Sequence, residues 1–344
     1  MDYTYKWCYG MLQIQMENIK NMKTSLIVGI SGQDGSYLAV FLIEKGYKVV
    51  GLVRRHSVAE NQSERVEHIR GNIELHYGDL TDYSSLLKIF SAYKFDEVYN
   101  LGAMSNVGIS FKMPVYTQES NYLGFINLLE VIRATQSKEI KIYQASSSEM
   151  FGNCVDEDGF QRETTPMIPV SPYGVSKLSA HLYANHYRRA YNMNIWCGIL
   201  FNHESPRRGT NFVTGKVTKA VAQINAGIID KIQLGTLDTF RDWGHSFDFT
   251  KVMWQMLNET EPDDFICCTG ITHSVRVLCK VAFEKIGITN FMDYIEIVDK
   301  YKRDEELNYL RGCSDKLFSK INVDFEYSFE QMIHEMVDYH KSKI

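Results

Sequence analysis

Short apolar runs alternate with amphipathic stretches along the chain from Thr24 onward. The apolar runs are typical of strands buried on both faces, and they are Thr24–Gly29, Lys48–Val53, Ile73–Tyr77, Glu97–Leu101, Ile140–Ala145 and Asn194–Leu200. The amphipathic stretches between them predict helices over Ser36–Glu44, Tyr83–Ala92, Asn121–Ala134 and Pro172–Tyr191. This alternation predicts an α/β fold with a doubly wound parallel sheet and right-handed crossovers.

The composition narrows the class of protein. The 344 residues are 44% hydrophobic and 23% charged, which is typical of a globular protein with a sizeable core. A formal net charge of −5 argues against a general nucleic-acid or membrane-surface partner. No apolar run approaches the roughly 18 residues that span a bilayer.

The cysteines and histidines give no sign of a metal site. The seven cysteines are scattered and are never spaced as CxxC, which disfavours both a disulfide framework and a zinc site. The ten histidines form no HExxH motif, because His340 follows His334 and Glu335 at too long a spacing. We therefore expect no bound metal and a reducing, cytoplasmic location.

A glycine triplet follows the first predicted strand. Gly29, Gly32 and Gly35 give the spacing GxxGxxG between that strand and a helix. Glycine permits a tight turn and lets backbone N–H groups approach a pyrophosphate at the helix N-terminus. Glycines also serve ordinary turns, but the position of the triplet in the first strand–helix unit favours a dinucleotide-binding loop.

The end of the second predicted strand indicates which dinucleotide binds. Arg54 and Arg55 stand about 20 residues after the glycines, where an NAD site normally has an acidic residue. Guanidinium groups instead suit a 2′-phosphate, because they offer planar bidentate donors. A solvated basic turn is the alternative, and we favour NADP. Asp79 and Leu80, after the third strand, are candidates for the adenine edge, although Asp is common in turns.

A tyrosine–lysine pair is the first candidate for chemistry. Tyr173 and Lys177 lie four residues apart on a predicted helix, so both side chains share one face. A tyrosine base at neutral pH needs its pKa lowered by roughly three units from about 10, or about 4 kcal/mol in favour of the phenolate. A partly desolvated ammonium and a positive nicotinamide ring are the expected sources of that stabilisation.

The fifth predicted strand leads into a second candidate. Ser147 is placed to hydrogen-bond a substrate hydroxyl beside Tyr173, and Glu149 follows at the carboxyl end of the strand. Open α/β sheets hold their ligands at that end. A serine and a glutamate that simply start a helix are the alternative reading of the same residues.

The regular alternation loosens after about residue 205, where turn residues, short strands and helices mix. We expect residues 23–204 to form mainly a cofactor-binding domain. Residues 205–344 would form mainly a smaller substrate-binding domain, with some exchange of chain between the two. Residues 1–22 lack the apolar stretch of a secretory signal, and we expect a loosely ordered extension there.

Several motifs occur together in a fixed order: GISGQDGSYLA, VRR, YGDLTD, YNLGAMSNVGISF, QASSSEMFG, SPYGVSK, GILFNHESPRRG, RDWGH and THSVR. They resemble the GDP-mannose 4,6-dehydratase family of extended short-chain dehydrogenases/reductases, over Lys23 to about Asp338. The most specific stretch is ILFNHESPRRGTNFVT. The resemblance implies a Rossmann-type domain that binds NADP, a small C-terminal domain for a nucleotide sugar, and a homodimer or homotetramer.

The resemblance also implies roles for individual residues. The catalytic group falls on Ser147, Glu149, Tyr173 and Lys177. Cofactor contacts fall on Gly29, Gly32, Gln33, Asp34, Gly35, Arg54, Arg55, Asp79, Leu80, Leu101, Ser105, Tyr116, Tyr173, Lys177, His203 and Arg208. Substrate contacts fall on Ser105, Ser147, Glu149, Asn202, Lys216, Arg241, Arg303 and Glu306.

The sequence departs from the family pattern at a few positions. Met104 and Asn106 stand where the family usually has Gln and His, Gly215 replaces an expected Arg, and Asp304 an expected Pro. The implied catalytic positions are intact. The departures therefore bear on the substrate more than on the reaction.

The reaction that the resemblance implies is the conversion of GDP-mannose to GDP-4-keto-6-deoxymannose. Tyr173 would take the O4 proton while the C4 hydride moves to NADP⁺. Glu149 would remove the C5 proton and protonate the departing C6 hydroxyl, and the hydride would return to C6.

Three alternatives stay open. One is a 4,6-dehydratase of another GDP-, UDP- or dTDP-sugar, although Ser148 disfavours dTDP-glucose, whose dehydratases have Asp beside the Glu. Another is a nucleotide-sugar 4-reductase or 4-epimerase, which needs no C5 base, so that Glu149 discriminates. The third is a catalytically silent nucleotide-binding subunit, which the intact catalytic positions disfavour.

Overall fold

A parallel sheet of seven strands is the centre of the fold. The computed structural model describes residues 22–55, 63–299 and 305–344. Its strands, in chain order, are β1 (Thr24–Val28), β2 (Lys48–Val53), β3 (Ile73–Tyr77), β4 (Glu97–Asn100), β5 (Lys141–Ser147), β6 (Asn194–Leu200), β7 (Asn202–Glu204), β8 (Ile232–Leu234), β9 (Phe240–His245), β10 (Asp264–Cys267), β11 (Thr272–Ser274) and β12 (Ile295–Ile297). The sheet has the order β10–β6–β5–β4–β1–β2–β3. Every pairing in it is parallel.

Helices connect these strands and cover the sheet. In chain order they are α1 (Gln33–Glu44), α2 (Tyr83–Ala92), α3 (Val107–Ser110), α4 (Pro114–Gln118), α5 (Gly124–Thr135), α6 (Pro172–Tyr191), α7 (Val213–Asn225), α8 (Ser246–Glu259), α9 (Val275–Glu284), α10 (Asp315–Phe318) and α11 (Phe329–Lys341). A π-helical segment, Glu119–Leu123, joins α4 to α5. The 3₁₀ helices are Glu64–Asn72, Ser148–Met150 and Phe291–Tyr294.

The two faces of the sheet bury separate apolar clusters. Side chains of α2, α5 and α6 pack on one face, among them Leu86, Phe125 and Ala180. Side chains of α1 and α8 pack on the other face, among them Leu38 and Phe249. Burial on both faces explains why the strands read as nearly continuous apolar runs in the sequence. The predicted α/β fold with a doubly wound sheet is confirmed.

The predicted elements agree with the structure except at some ends. The six predicted strands are all present, and β2, β3 and β6 have the predicted bounds. The helix predicted over Asn121–Ala134 begins earlier, since α4 and the π-helical segment lead directly into α5. Its polar start hid the first turns, because Glu119 and Ser120 break the apolar pattern.

Smaller sheets accompany the central one. β7, β9 and β11 form a three-stranded sheet, and β8 pairs with β12. A third apolar cluster joins α7, α9 and α11 and includes Val217, Leu278 and Met336. β10 and α8, both after residue 205, belong to the central sheet and its covering layer. The assignment of residues 23–204 and 205–344 to different ligands stays a prediction.

None of the helices in the described ranges has the length and apolar character needed to cross a membrane.

Candidate active site

The carboxyl ends of the central strands open into a cleft of about 1770 Å³. β1 and β4 are neighbours, while the chain continues from β1 to β2 on one side and from β4 to β5 on the other. Open α/β sheets bind ligands at such a switch point. The described site residues that the sequence predicts all line this cleft, except Arg55 and Tyr116. Arg303, and Asp304 with it, lies outside the described residues.

The glycine loop has the shape that a pyrophosphate needs. Gly29 has a φ of +83°, which favours glycine, and a Cβ at Gly35 would lie 2.3 Å from the carbonyl oxygen of Gly29. α1 begins at Gln33, and its N-terminus has no capping hydrogen bond from a side chain. Its first N–H groups therefore face the cleft as a ready anion-binding site.

The two arginines after β2 lie at the rim of this cofactor side. Arg54 lines the cleft and donates a hydrogen bond to the hydroxyl of Tyr116. Tyr116 itself does not line the cleft. The guanidinium of Arg55 lies 5.6 Å from the ring centroid of Tyr77. Both arginines are exposed, so their planar donor groups remain accessible to an anionic ligand.

Ser147 and Glu149 lie where β5 ends. The Glu149 backbone N–H donates to Ser147 Oγ over 3.2 Å, so the serine caps the 3₁₀ helix Ser148–Met150. Glu149 is 8% exposed, and its side chain lines the cleft. The pair thus has the helix-starting geometry of the alternative reading and also faces the cavity.

Tyr173 and Lys177 lie on one face of α6, opposite Ser147. Pro172 occupies the first turn, and Ser171 caps the helix by accepting from the Gly174 N–H over 3.0 Å. Tyr173 shares a hydrogen bond with Ser147. Lys177 Nζ donates to the carbonyl oxygen of Ala145 over 2.9 Å and lies 5.9 Å from the ring centroid of Tyr173. The structure therefore brings all four predicted catalytic side chains to one wall of the cleft.

Known sequences resemble this chain over most of its length. The sequence model of the family described as "GDP-mannose 4,6 dehydratase" matches residues 26–336. The GDP-mannose 4,6 dehydratase of Cricetulus griseus is 43% identical, over 92% of this chain and 91% of that protein. GDP-mannose 4,6 dehydratase 1 of Arabidopsis thaliana is 44% identical, over 93% and 90%. The chain belongs to the GDP-mannose 4,6-dehydratase family.

Solved structures of more distant enzymes share the fold of this GDP-mannose 4,6-dehydratase family member. The UDP-glucose 4-epimerase of Thermus thermophilus superposes with a TM-score of 0.81 at 22% identity, over 93% of this chain and all of that one (100%). The dTDP-glucose 4,6-dehydratase of Bacillus anthracis gives 0.79 at 21% identity, over 93% and 97%. Because the identities are so low, these likenesses speak for the fold alone.

Burial dominates the ionisation of the tyrosine–lysine pair in the protein alone. Burial raises the pKa of Tyr173 to about 12. The hydrogen bond with Ser147 acts to lower this pKa, and the charge of Glu149 acts to raise it. Burial lowers the pKa of Lys177 to about 8. The shift of Tyr173 is thus opposite to the one that a tyrosine base needs. In a family member of this geometry the protein alone does not supply the stabilisation of the phenolate.

The described residues predicted to bind substrate line the same cleft as the glycine loop. Lys216 on α7 donates to the Gln233 carbonyl over 2.6 Å, and Arg241 on β9 lies 3.8 Å from a carboxylate oxygen of Glu306. Asn202 Oδ1 is a buried acceptor with no hydrogen-bond partner among the described residues. Lys216, Arg241 and Asn202 thus bring cationic groups and a polar acceptor to the cleft, and their contact with a nucleotide sugar stays a prediction.

Two departures from the family pattern have a local structural explanation. Asn106 caps α3 by accepting from the Ile109 N–H over 2.9 Å, a role that an Asn performs well. A Cβ at Gly215 would lie 2.7 Å from the carbonyl oxygen of Gly209. A larger side chain at that position requires a different path of the 209–210 backbone.

Asn121 is a site residue that the sequence argument missed. Its side chain accepts from the Met104 N–H over 2.7 Å and donates to the Met104 carbonyl over 3.1 Å. It also donates to Ser176 Oγ, which donates in turn to the carbonyl of Tyr173. Asn121 therefore ties the loop after β4 to the catalytic helix. The sequence offered only an Asn at the start of the predicted helix Asn121–Ala134, which does not by itself indicate a site residue.

Arg65 and Arg207 were also missed, although both adjoin the glycine loop. Arg65 donates to the carbonyl oxygens of Ser31 and Arg207 over 3.2 and 2.9 Å. Arg207 donates to Ser36 Oγ over 3.0 Å and lies 3.9 Å from the ring centroid of Tyr37. Arg207 stands in the quoted motif SPRRG, whereas no local pattern distinguishes Arg65.

One trio of potential metal ligands lies close together in the described part of the chain. The ligand atoms of His181, Cys197 and Asp264 are within 4.8 Å of one another. Asp264 already accepts from Arg188 and Asn185 over 2.9 Å each. Burial raises the pKa of the Cys197 thiol well above its usual range. These contacts favour a structural ion pair rather than a metal centre.

Proposed function

We propose that this chain is an NADP-dependent GDP-mannose 4,6-dehydratase, a hydro-lyase that forms GDP-4-keto-6-deoxymannose. The observation that carries the proposal is the meeting of Ser147, Glu149 and Tyr173 in the same cleft as the glycine loop. The relatives named GDP-mannose 4,6 dehydratase, at 43–44% identity over most of the chain, support the substrate.

The residues present fit a dinucleotide cofactor. A Cβ at Gly35 would clash with the backbone of Gly29 and Ile30, so glycine is what allows the tight approach of loop and helix, and the uncapped start of α1 suits a pyrophosphate. Arg54 and Arg55 would hold a 2′-phosphate, which supports NADP over NAD. NADP, when bound, supplies a reversible store for the hydride that leaves C4 and returns to C6.

Tyr173 would take the proton from the sugar O4 during oxidation at C4. Its hydrogen bond with Ser147 places the phenol beside a second hydroxyl that can orient the sugar. Because burial holds the pKa of Tyr173 at about 12, this step needs a positive charge next to the phenol beyond that of Lys177. We therefore expect Tyr173 to act as a base in the cofactor complex, where the nicotinamide ring would supply that charge.

Glu149 would remove the C5 proton, which the C4 ketone acidifies, and then protonate the departing C6 hydroxyl. A carboxyl group that first accepts and then donates one proton suits this elimination. Glu149 is nearly buried at the end of β5, close enough to Tyr173 for its charge to influence the phenol. Both groups would therefore act on the same sugar.

The test compares Glu149→Gln with the wild-type enzyme and with Glu157→Gln, a control at an exposed glutamate. Purified protein is mixed with NADP⁺ and GDP-mannose, NADPH is followed by near-ultraviolet absorbance, and mass spectrometry reports loss of water. We expect Glu149→Gln to keep C4 oxidation and to lose dehydration by about 100-fold or more. Glu157→Gln should match the wild type.

Three outcomes would contradict parts of the proposal. Normal dehydration by Glu149→Gln removes Glu149 from its role. Loss of water from a UDP- or dTDP-sugar, but not from GDP-mannose, reassigns the substrate. A requirement for a stoichiometric external oxidant or reductant rules out the redox-neutral cycle.

We also propose a homodimer or homotetramer in the cytoplasm. The support for self-association is a set of exposed apolar side chains on α4 to α6 and the segment joining them, namely Val115, Leu123, Val175, Leu182 and Tyr183. Light scattering on the purified protein would contradict this if it gave the mass of a single chain. For the location, the support is that the described cysteines are all free.

A further inference from the structure

The imidazole of His203 is fixed on both ring nitrogens. Its Nδ1 lies 2.7 Å from the carbonyl oxygen of Phe201, and its Nε2 lies 2.9 Å from Oδ2 of Asp34. The ring also stacks on Phe249, with the centroids 4.7 Å apart and the planes at 23°. The side chain therefore has no free nitrogen to offer to a ligand. If His203 contacts the cofactor as predicted, it does so through its backbone, or it acts indirectly by holding Asp34.

These contacts determine where the protons lie. A carbonyl oxygen only accepts hydrogen bonds, so Nδ1 of His203 carries a proton. The other oxygen of Asp34, Oδ1, accepts from Ser246 Oγ over 2.7 Å and from Gln33 Nε2 over 3.1 Å, as a carboxylate does. An ionised Asp34 requires a donor at Nε2 as well. The arrangement is that of an imidazolium facing a carboxylate.

The two pKa shifts agree with this assignment. Burial acts to raise the pKa of Asp34, but the charge and the hydrogen bond of His203 hold it well below its usual range. Burial acts to lower the pKa of His203, but the charge and the hydrogen bond of Asp34 raise it above its usual value.

The pair joins the glycine loop to the strand that leads toward the substrate side. Asp34 lies in the first turn of α1, inside the glycine loop, and His203 lies on β7 next to Asn202. Gln33 adds a second link, because it donates to the His203 carbonyl over 3.0 Å and accepts from Ser205 Oγ over 2.8 Å. The loop end is thus tethered through adjacent side chains to β7 and the segment after it.

Other charged groups face the pair from the surrounding elements. Arg208, which follows β7, opposes protonation of His203 and favours ionised Asp34. The charge of His203 acts to lower the pKa of Glu204 on β7. The charge of Asp34 acts to raise the pKa values of Lys177 and Tyr173 on α6.

The charge of Asp34 also acts to raise the pKa of Tyr143 on β5. Asp34 is therefore the acid that stabilises the protonated form of His203. Its charge also influences the pKa values of Tyr173 and Lys177.

We propose that His203 and Asp34 form a buried imidazolium–carboxylate pair that holds the glycine loop against β7, with His203 as a positioning residue for the cofactor. This inference rests on the proposed NADP site. Loss of the proton from His203 removes the charge that binds the loop end. NADP affinity should consequently depend on pH in a range set by this pair.

The sign of that dependence follows from the two shifts. The stabilisation due to His203 is complete below its ordinary pKa of about 6.5 and is lost as the pH rises through its raised value. The stabilisation due to Asp34 is present above about 3.9 and is lost only at lower pH, through its depressed value. The loop is held best at a pH between the depressed pKa of Asp34 and the raised pKa of His203, and it loosens as the pH rises through the latter.

His245 provides a control within the same protein. Its Nε2 also faces a carboxylate, lying 3.1 Å from Glu335 Oε2, but its Nδ1 accepts from the Phe247 N–H over 3.1 Å. An accepting nitrogen carries no proton, so His245 is a neutral imidazole with its proton on Nε2. The two histidines should differ in protonation although each faces an acid.

The first experiment is ¹⁵N NMR of the imidazole nitrogens in the full chain without cofactor, at pH 6.5 to 7. His203 is assigned from through-bond correlations to its own backbone in the wild-type chain, so that no variant is needed for the assignment. We expect both nitrogens of His203 to carry protons, and His245 to show one protonated and one bare nitrogen. A neutral ring at His203 would overturn the proposal. This measurement on wild-type protein stands even if every variant fails to fold.

The second experiment measures NADP⁺ affinity by calorimetry from pH 6 to pH 9. The wild type should bind more weakly as the pH rises through the raised pKa of His203. Asp34→Asn should bind about tenfold more weakly than wild type at pH 6 and should show a flat profile. The control Glu335→Gln should keep the wild-type profile. Parallel profiles for Asp34→Asn and wild type would overturn the coupling of the pair to the cofactor.

The two experiments separate this inference from the proposed function. If no NADP⁺ binds at any pH while His203 is doubly protonated, the cofactor proposal fails and the ion pair stands. If NADP⁺ binds while His203 is neutral, the cofactor proposal stands and the ion pair fails.

Discussion

The two ends of the central sheet both bury polar side chains, but they do so in opposite ways. At the amino end, Glu97 at the start of β4 is 1% exposed and both of its carboxylate oxygens are hydrogen-bonded. Lys23 and Tyr47 donate to Oε1 over 3.1 and 2.9 Å, and Tyr99 donates to Oε2 over 2.7 Å. This cluster is completed by protein groups alone.

At the carboxyl end the polar groups face a cavity. Ser147, Glu149, Tyr173 and Lys177 line the cleft of about 1770 Å³, and burial shifts the pKa values of Tyr173 and Lys177 toward their neutral forms. Charged forms of these groups are therefore less stable in the free protein than in water. The amino end stabilises the fold, whereas the carboxyl end is arranged for a partner that the protein does not itself supply.

The largest expected effect is on activity at the carboxyl end. Tyr173→Phe removes the only atom that can take the O4 proton from this position, and we expect turnover of GDP-mannose to fall by about 10³-fold. The free energy of unfolding should change by less than about 1 kcal/mol, because the ring still fills its site. Product mass spectrometry and urea denaturation measure the two quantities.

Tyr191→Phe, at an exposed tyrosine on the same helix, is the control for this change and should leave both quantities near wild type. Undiminished turnover in Tyr173→Phe would show that another group takes the O4 proton.

The largest expected effect on stability is at the amino end. Glu97→Ala deletes the acceptor of three donors and should lower the free energy of unfolding by about 3 kcal/mol. The control is Glu74→Ala, which breaks the half-exposed Lys48–Glu74 pair at 2.8 Å and should cost less than about 1 kcal/mol. Equal losses in the two variants, measured by urea denaturation, would contradict the contrast between the ends.

A substitution at the carboxyl end should change stability in the opposite direction. Burial lowers the pKa of Lys177 from 10.5 to about 8, so the folded protein disfavours the ammonium that the unfolded chain keeps. Lys177→Met should therefore stabilise the fold at pH 7, by up to about 3 kcal/mol, while it abolishes activity.

The pH dependence of that gain has a definite sign. Between pH 8 and 10.5 the folded wild type binds fewer protons at Lys177 than the unfolded chain, so the stability of the wild type rises with pH there. The advantage of Lys177→Met should shrink over that range. Denaturation curves at pH 7 and pH 10 that show the same difference would contradict the assigned burial cost.

The sequence predicted the fold well because its signals are local. β2, β3 and β6 coincide with the predicted apolar runs, since a strand buried on both faces needs apolar residues at every position. Gly29 and Gly35 were readable because a positive φ and a close backbone approach each require glycine.

The remaining site residues depend on contacts between distant parts of the chain. Arg65 reaches Ser31 and Arg207 through the fold, and Asn121 reaches Met104 and Ser176. No spacing rule connects such positions in a single sequence. The direction of the Tyr173 pKa shift was equally out of reach, because it depends on how deeply the side chain is buried.

The smallest expected effect lies between the two ends, in the middle of the sheet. Tyr99 and Tyr143 are register partners on β4 and β5, and both are fully buried. Tyr99 donates to Glu97, whereas the hydroxyl of Tyr143 has no hydrogen-bond partner among the described residues. A buried hydroxyl without a partner costs about 1–3 kcal/mol. Tyr143→Phe should therefore raise the free energy of unfolding by about 1 kcal/mol, and Tyr99→Phe should lower it.

Gly198 on β6 lies directly beside the hydroxyl of Tyr143. A Cβ at Gly198 would lie 2.0 Å from the hydroxyl oxygen of Tyr143, so Gly198→Ala alone should be strongly destabilising. In the Tyr143→Phe background that oxygen is gone, and the same substitution should cost at least about 1 kcal/mol less. A double-mutant cycle by urea denaturation measures this coupling. Additive effects would show that the two side chains do not compete for that space, and that the unpartnered hydroxyl lies elsewhere in the core.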